Sequence, residues 1–481
     1  VYAPRGFGLS EVGDVEVFPD GDQLHLFHLT LPNHDVVQHV VSDDGLAWRP
    51  LPDALRTSDP GACDDDMIWT MSVTERAGTY YMVYTALSRA EDGQVQRTAL
   101  ATSTDLIHWT KSSHNPVAAA DPRWYEADVT ASGRVSWRDP KPIKVGDRYY
   151  ATVCARERHG PLLRRGCIGL IESADLVTWE TRPPLFAPRR YWDLECPQVV
   201  EIDGTFYATA AIMEDRTQRY WSAPRFDGPY TVPDDGGILA PRGHYAGRIC
   251  RWQDQWLYYC WHKAEYDWRP FPNPFGKFVV APLVLFKRPD GSLGRRSFPG
   301  WERYLRAPLA APSTLSETLY QGHVIETGRS WRVDGGPGMD VIATEAEERD
   351  LWLEGSLTLD ARTGGLAFRL DDDGGGYFVE IAAGGIEVTL QKWLPITRGP
   401  EGVPWFKYVE LQRGRLPRPV PTGEPIPFRL IVAGPYVECS LFGEVVVATL
   451  SAERASGRVG IWAESGAAEA RDVRWAPMRT P

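Results

Sequence analysis

The stretch Ser42-Asp43-Asp44-Gly45-Leu46-Ala47-Trp48 returns as Ser103-Thr104-Asp105-Leu106-Ile107-His108-Trp109 and again as Ser173-Ala174-Asp175-Leu176-Val177-Thr178-Trp179. The shared pattern is Ser-x-Asp-x-x-x-Trp. Short polar side chains two residues apart favour a tight turn, because each can hydrogen-bond a nearby backbone amide. The Trp that follows brings a large apolar cover back over the sheet. Ahead of each copy lies an aromatic, strand-like run opened by a turn: DGDQLHLFH at 20–28, AGTYYMVYTA at 77–86 and GDRYYATVCA at 146–155. Two weaker copies follow. DGTFYATAA at 203–211 leads to YWSAPRFDGPYTV at 220–232, and QDQWLYYCWH at 253–262 leads to KFVVAPLVLFKRPDGSL at 277–293. Five such units predict a five-bladed β-propeller over residues 1–305.

Beyond the fifth unit, a Pro- and Arg-rich passage reads as a linker over 306–320. The remainder, 321–481, alternates apolar and polar residues in short runs such as LWLEGSLTL at 351–359, GYFVEIA at 376–382 and FRLIVAG at 428–434. Gly- and Asp-rich turns separate them, which predicts a lectin-like β-sandwich. The fold class expected is therefore all-β. The 45 Gly, 39 Pro and 19 Trp agree with many turns and aromatic-faced strands, and helical periodicity is hard to find.

A net charge of −12 argues against nucleic acid or an acidic membrane surface as partner. No apolar run reaches the length of a membrane span. The seven cysteines are scattered, odd in number and without metal-ligand spacing, which leans towards a reducing compartment. No cofactor is expected, and oligomeric state is not readable.

Three acids stand out: Asp14 in GDVEVF, Asp139 in WRDPKPI and Glu195 in YWDLECPQVVEIDG. Each precedes an aromatic run by a similar interval, so a propeller would bring all three to one end of its axis at matching points of their blades. Glycoside cleavage with retention needs a nucleophilic carboxylate, a carboxyl that protonates the leaving oxygen, and stabilisation of a cationic sugar ring. Asp14 has no adjacent base and suits the nucleophile; Glu16 would point to the opposite face of an extended strand. Glu195, among Trp192, Leu194 and Cys196, has the partly apolar setting of a general acid. Asp139, bracketed by Arg138 and Pro140, is expected to stay ionised and to hold sugar hydroxyls. Each acid has a plainer reading as a turn former or surface ion pair. The run Asp64-Asp65-Asp66 reads as a solvated loop rather than a metal site.

These residues resemble glycoside hydrolase family 32, with its relative family 68. RDPK at 138–141 matches the family's RDP motif, and WDLECPQVVEIDG at 192–204 resembles its WECPD segment. WTMSV at 69–73, QHVVSDDGLAWRPLP at 38–52 and VYTALSRAEDGQVQRTALATSTDLIHWTK at 83–111 are similar to its first- and second-blade stretches. The resemblance implies that Asp139 is the transition-state stabiliser and Glu195 the general acid/base. The family's NDPNG is absent; GDV at 13–15 stands in its place, which makes Asp14 the positional equivalent of the nucleophile. His28 stands where the family usually has Gln, Val37 where it often has Trp, and GHYAGRICRW at 243–252 lacks its Asp-x-Gly pattern. Arg138, Trp69 and His28 are the candidate substrate-binding residues. A retaining hydrolase or fructosyltransferase acting on β-fructofuranosides is the implied function, with a small sugar or oligosaccharide as partner. The residues themselves leave two alternatives open: a propeller glycosidase acting on arabinofuranosides, and a non-catalytic carbohydrate-binding protein.

Overall fold

The computed structural model describes residues 2, 11–263, 277–311, 315–316, 325–327, 330–345, 347–372, 374–396, 405–451 and 453–481. Part of the segment expected as linker lies outside them. The chain divides into two compact units, Val1–Ala240 with His244–Gly294, and Pro241–Gly243 with Arg295–Pro481.

The first unit holds five antiparallel sheets in chain order, the five-bladed propeller. Their innermost strands are Glu11–Asp20, Met67–Arg76, Trp137–Val145, Glu195–Ile202 and His244–Trp252. Each is followed by a hairpin partner: Gln23–Leu31, Thr79–Leu87, Arg148–Arg156, Thr205–Ile212 and Gln255–Lys263. Tyr2 closes the ring by exchanging two backbone hydrogen bonds with Val279 of the fifth sheet, at 3.0 and 3.1 Å.

The repeated Ser-x-Asp-x-x-x-Trp turn is built the same way three times. Asp44, Asp105 and Asp175 each accept two backbone amides at 2.8–2.9 Å, from Leu46 and Ala47, Ile107 and His108, and Val177 and Thr178. The residue after the Asp is left-handed in every copy: Gly45 at φ 78°, Leu106 at 63° and Leu176 at 68°. A side chain there costs about 1–2 kcal/mol. Leu106 and Leu176 tolerate it because they are fully buried, and burying a Leu contributes roughly 1.5–3 kcal/mol.

A second repeat is invisible in composition. Every innermost strand slips register against its partner near its start: between Val12 and Val15, Trp69 and Met71, Arg138 and Lys141, Glu195 and Gln198, and Tyr245 and Arg248. Such β-bulges re-aim side chains and recur next to active sites. Ala246 and Gly247 form the fifth one. A Cβ on Gly247 would lie 2.1 Å from the Tyr258 ring, so glycine is required there.

The second unit is one nearly closed, sandwich-like sheet. Two 20-residue strands, Leu351–Leu370 and Arg458–Pro477, pair along their length. Each then changes neighbours part-way: the first from Ile426–Ala433 to Gly376–Ala382, the second from Met339–Thr344 to Ser330–Asp334. The layers so formed enclose an apolar core including Trp331, Leu353, Phe368, Leu430 and Ile461. None of the described helices is long and apolar enough to cross a membrane.

Candidate active site

The five bulges put their side chains together at one place. Immediately before the slip stand Val12, Trp69, Arg138, Glu195 and Tyr245; inside it lie Gly13–Asp14, Thr70, Asp139–Pro140, Cys196–Pro197 and Ala246–Gly247. The three acids thus do not occupy matching points. Glu195 precedes its bulge, Asp139 is the first residue within, and Asp14 the second. Asp139 and Cys196 adopt left-handed φ of 62° and 46°, which turns their side chains off the ordinary pleat.

Asp14, Asp139 and Cys196 bring their carboxyl oxygens and sulfur within 4.8 Å of one another. Asp14 Oδ2 accepts from Thr70 Oγ1 at 2.5 Å and from the Cys196 thiol at 3.4 Å, and its Oδ1 accepts from the Trp261 indole at 3.1 Å. Burial pushes the Cys196 thiol well above its usual range, so it donates rather than ionises. Asp139 accepts the Cys196 amide at 2.8 Å. The neighbouring Arg138 does not keep Asp139 at an ordinary carboxylate value. Burial outweighs Arg138, Asp14 adds like-charge repulsion, and Asp139 is raised to about 6.

Glu195 is held from both sides. Arg138 Nη2 donates to its Oε1 at 2.7 Å, and the Tyr245 hydroxyl donates to its Oε2. Arg138 is 4% exposed and also donates to Asp193 at 2.9 Å; its Nε stands 3.6 Å from Asp139. From Asp193 the charges alternate through Arg156 to Glu126 and Arg165. Arg138 therefore spends its nitrogens on protein groups, Nη2 and Nε on carboxylates and Nη1 on the Ser136 hydroxyl at 3.0 Å.

Glu16, two residues from Asp14, is fully buried and paired with Lys141 at 2.6 Å, with Arg248 at 3.7 Å. Arg248 in turn donates to the carbonyls of Cys196 and Pro197 at 3.1 and 3.0 Å, tying down the fourth bulge.

Trp69 flanks Asp14 through Thr70, with the His34 ring 5.5 Å away and the Arg134 guanidinium 5.6 Å from its centroid. His28 is fully buried on the second strand, its ring nitrogens on the Leu29 carbonyl and the Tyr2 hydroxyl. Asp64 and Asp65 serve the protein: Asp64 meets Lys111 and Tyr84, and Asp65 accepts the amides of Gly61 and Arg89. Sequence reasoning missed Thr70, Asp193, Tyr245 and Trp261. Aligning the five inner strands on their bulges would have exposed Tyr245, which stands in register with Arg138 and Glu195.

Comparison with known proteins fits this geometry. A model described as the Glycosyl hydrolases family 32 N-terminal domain matches residues 18–225, a span that takes in Asp139 and Glu195. Residues 18–225 therefore match glycoside hydrolase family 32, as a divergent copy of its N-terminal domain. Among curated relatives, the insoluble beta-fructofuranosidase isoenzyme CWINV5 of Arabidopsis thaliana is 31% identical over 183 residues, 36% of this chain. The match spans only 29% of that relative's length. Among solved structures, fructan 1-exohydrolase IIa from Cichorium intybus superposes with a TM-score of 0.68 at 14% identity, covering 100% of this chain and 97% of its own. Sucrose-6-phosphate hydrolase from Lactobacillus gasseri gives 0.70 at 16% identity, covering 97% and 90%. At those identities the likeness concerns the fold.

Proposed function

We propose that this protein is a retaining glycosidase of family 32 acting on β-fructofuranosides, with Asp14 as nucleophile, Glu195 as general acid/base and Asp139 as stabiliser of the transition state. The observation that carries the reading is the convergence of three carboxyls from three blades, each with a different set of partners. Asp14 receives only donors, which suits a carboxylate that must attack as an anion. Glu195 has a hydroxyl on one oxygen and a cation on the other, which suits a group that gains and loses a proton.

In the first step an Asp14 oxygen bonds to the anomeric carbon as the bond to the leaving oxygen breaks. Glu195 gives its proton to that oxygen. In the second step Glu195 takes a proton from water, the water oxygen bonds to the anomeric carbon, and Asp14 is released. Asp139 sits where it can accept ring hydroxyls, and Trp69 supplies an apolar wall. Fructan, fructo-oligosaccharides and sucrose-like sugars are the candidate substrates; His28 and Arg138 act behind this surface by shaping it.

Free sugar release from sucrose, 1-kestose and inulin, run beside an aryl arabinofuranoside, tests the reading. Fructose appearing first as the β-anomer by NMR is the expected result. Arabinose released with inversion would replace this reading with the pentosidase one, and binding without release from any of them would leave a carbohydrate-binding protein.

A further inference from the structure

Among the described residues blade five contributes no acid to the site, yet it touches two of the three acids. Tyr245 and Trp261 are direct cross-strand partners, with ring centroids 5.1 Å apart at 45°. The Tyr245 hydroxyl donates to Glu195 Oε2, and the Trp261 indole donates to Asp14 Oδ1 at 3.1 Å. We propose that this single pair is a positioning device that holds the acid/base and the nucleophile in one fixed relation, with a different kind of donor on each. The inference rests on the roles given above to Asp14 and Glu195.

The pair is itself well held. Both rings are buried, at 4% and 5% exposure, and the Lys277 ammonium lies 4.5 Å from the Trp261 ring. The bulge that follows Tyr245 is closed against Tyr258 at Gly247, so the backbone under Tyr245 has little room to shift. Side chains locked in this way hold a site to the tolerance that catalysis needs.

The two donors differ in kind, and that difference matches the two tasks. An indole N–H can only donate, whereas a phenol hydroxyl can donate or accept. Trp261 therefore leaves Asp14 Oδ1 an acceptor. Around Glu195, Arg138 occupies Oε1 and has no acceptor, so the proton resides on Oε2. There the Tyr245 hydroxyl can rotate to accept it. When that proton passes to the leaving oxygen, the hydroxyl turns back and donates to the new carboxylate. Burial and the adjacent Glu195 push the Tyr245 phenol above its usual range, so it keeps its own proton through the cycle.

The test compares a natural sugar leaving group with an activated one in the same preparations. Wild type, Tyr245→Phe and Trp261→Phe are assayed on sucrose or 1-kestose and on p-nitrophenyl β-D-fructofuranoside, with melting temperatures alongside. Tyr245→Phe should lose on the order of tenfold or more in kcat on the sugar substrate and no more than about threefold on the aryl one, which needs little protonation. Trp261→Phe should lose about equally on both, since attack by Asp14 is common to both substrates. The ratio of the two rates is independent of how much of a preparation is folded. Tyr245→His, which keeps a ring donor, should recover part of the sugar rate. An unchanged ratio in both Tyr245 variants, with losses following the melting temperature, would reduce the pair to packing. A wild type inactive on both substrates would instead remove the fructosidase reading beneath it.

Discussion

Two interiors of this chain are built on opposite terms. The core of the second unit is closed by Trp331, Leu353, Phe368, Leu430 and Ile461, all apolar and buried to within 1%. The bulged end of the propeller buries Arg138, Asp139, Arg156, Asp193 and Arg248 to 4% exposure or less. The first gains from removing apolar surface from water. The second survives only because nearly every charge meets an opposite one, and removing one partner of a buried pair typically costs about 3–5 kcal/mol. One interior is spent on stability and the other on chemistry, so substitutions should separate the two cleanly.

The largest effect is expected at Glu195. Glu195→Gln keeps size and the Tyr245 contact but cannot pass a proton, and loss of general acid–base catalysis costs about 100- to 10,000-fold. Turnover on sugar substrates should fall by that range with the fold intact by circular dichroism, and aryl fructosides should lose less. Near-normal turnover would remove Glu195 from the mechanism.

The matching substitution in the other interior is Leu430→Ala. Leu430 is fully buried in the second unit's core. The cavity should destabilise by about 2–5 kcal/mol, read by denaturant titration, with kcat/KM at low temperature unchanged. A parallel loss of activity would mean that the two interiors are energetically one.

The same contrast governs what the residues revealed in advance. Alternation of apolar and polar residues shows directly which strand face is buried, so the sheets of both units were legible. The repeated Ser-x-Asp-x-x-x-Trp turn was legible because its partners lie two or three residues apart. The charged interior was not, because its pairs are distant: Arg138 meets Asp193 and Glu195 across 55 and 57 positions, and Lys141 meets Glu16 across 125. The acids could be picked out by motif, but their partners could not. Asp139 shows the consequence. Its neighbour Arg138 promised an ionised carboxylate, whereas burial beside Asp14 raises it.

That raised value makes Asp139→Asn a test of the trade between stability and chemistry. The folded protein holds the Asp139 proton to about pH 6, whereas the unfolded chain releases it near the ordinary 3.8. The wild type therefore loses stability as pH rises between those values. An amide never ionises, so Asp139→Asn should be more stable than wild type by on the order of 2–3 kcal/mol at pH 7. The gap should close on acidification to about pH 4, while activity is lost throughout. A variant less stable than wild type at pH 7 would show that Asp139 braces the bulge rather than straining it.

The smallest expected effect is at Trp69, and it decides which interior this residue belongs to. Trp69 is partly buried in register with Arg138 and Glu195, directly before Thr70, which holds Asp14. Its indole N–H is buried and finds no acceptor among the described residues. An unsatisfied buried donor costs about 1–3 kcal/mol, a burden that the packed indoles of Trp137, Trp252 and Trp301 also carry. An N–H that meets a sugar hydroxyl in the occupied site would justify it. Trp69→Phe removes the donor and keeps an aromatic wall. The melting temperature should then hold or rise slightly, while KM for sucrose-like substrates rises by about three- to tenfold, the worth of roughly one hydrogen bond. A fall of several degrees with unaltered KM would assign Trp69 to the propeller's packing.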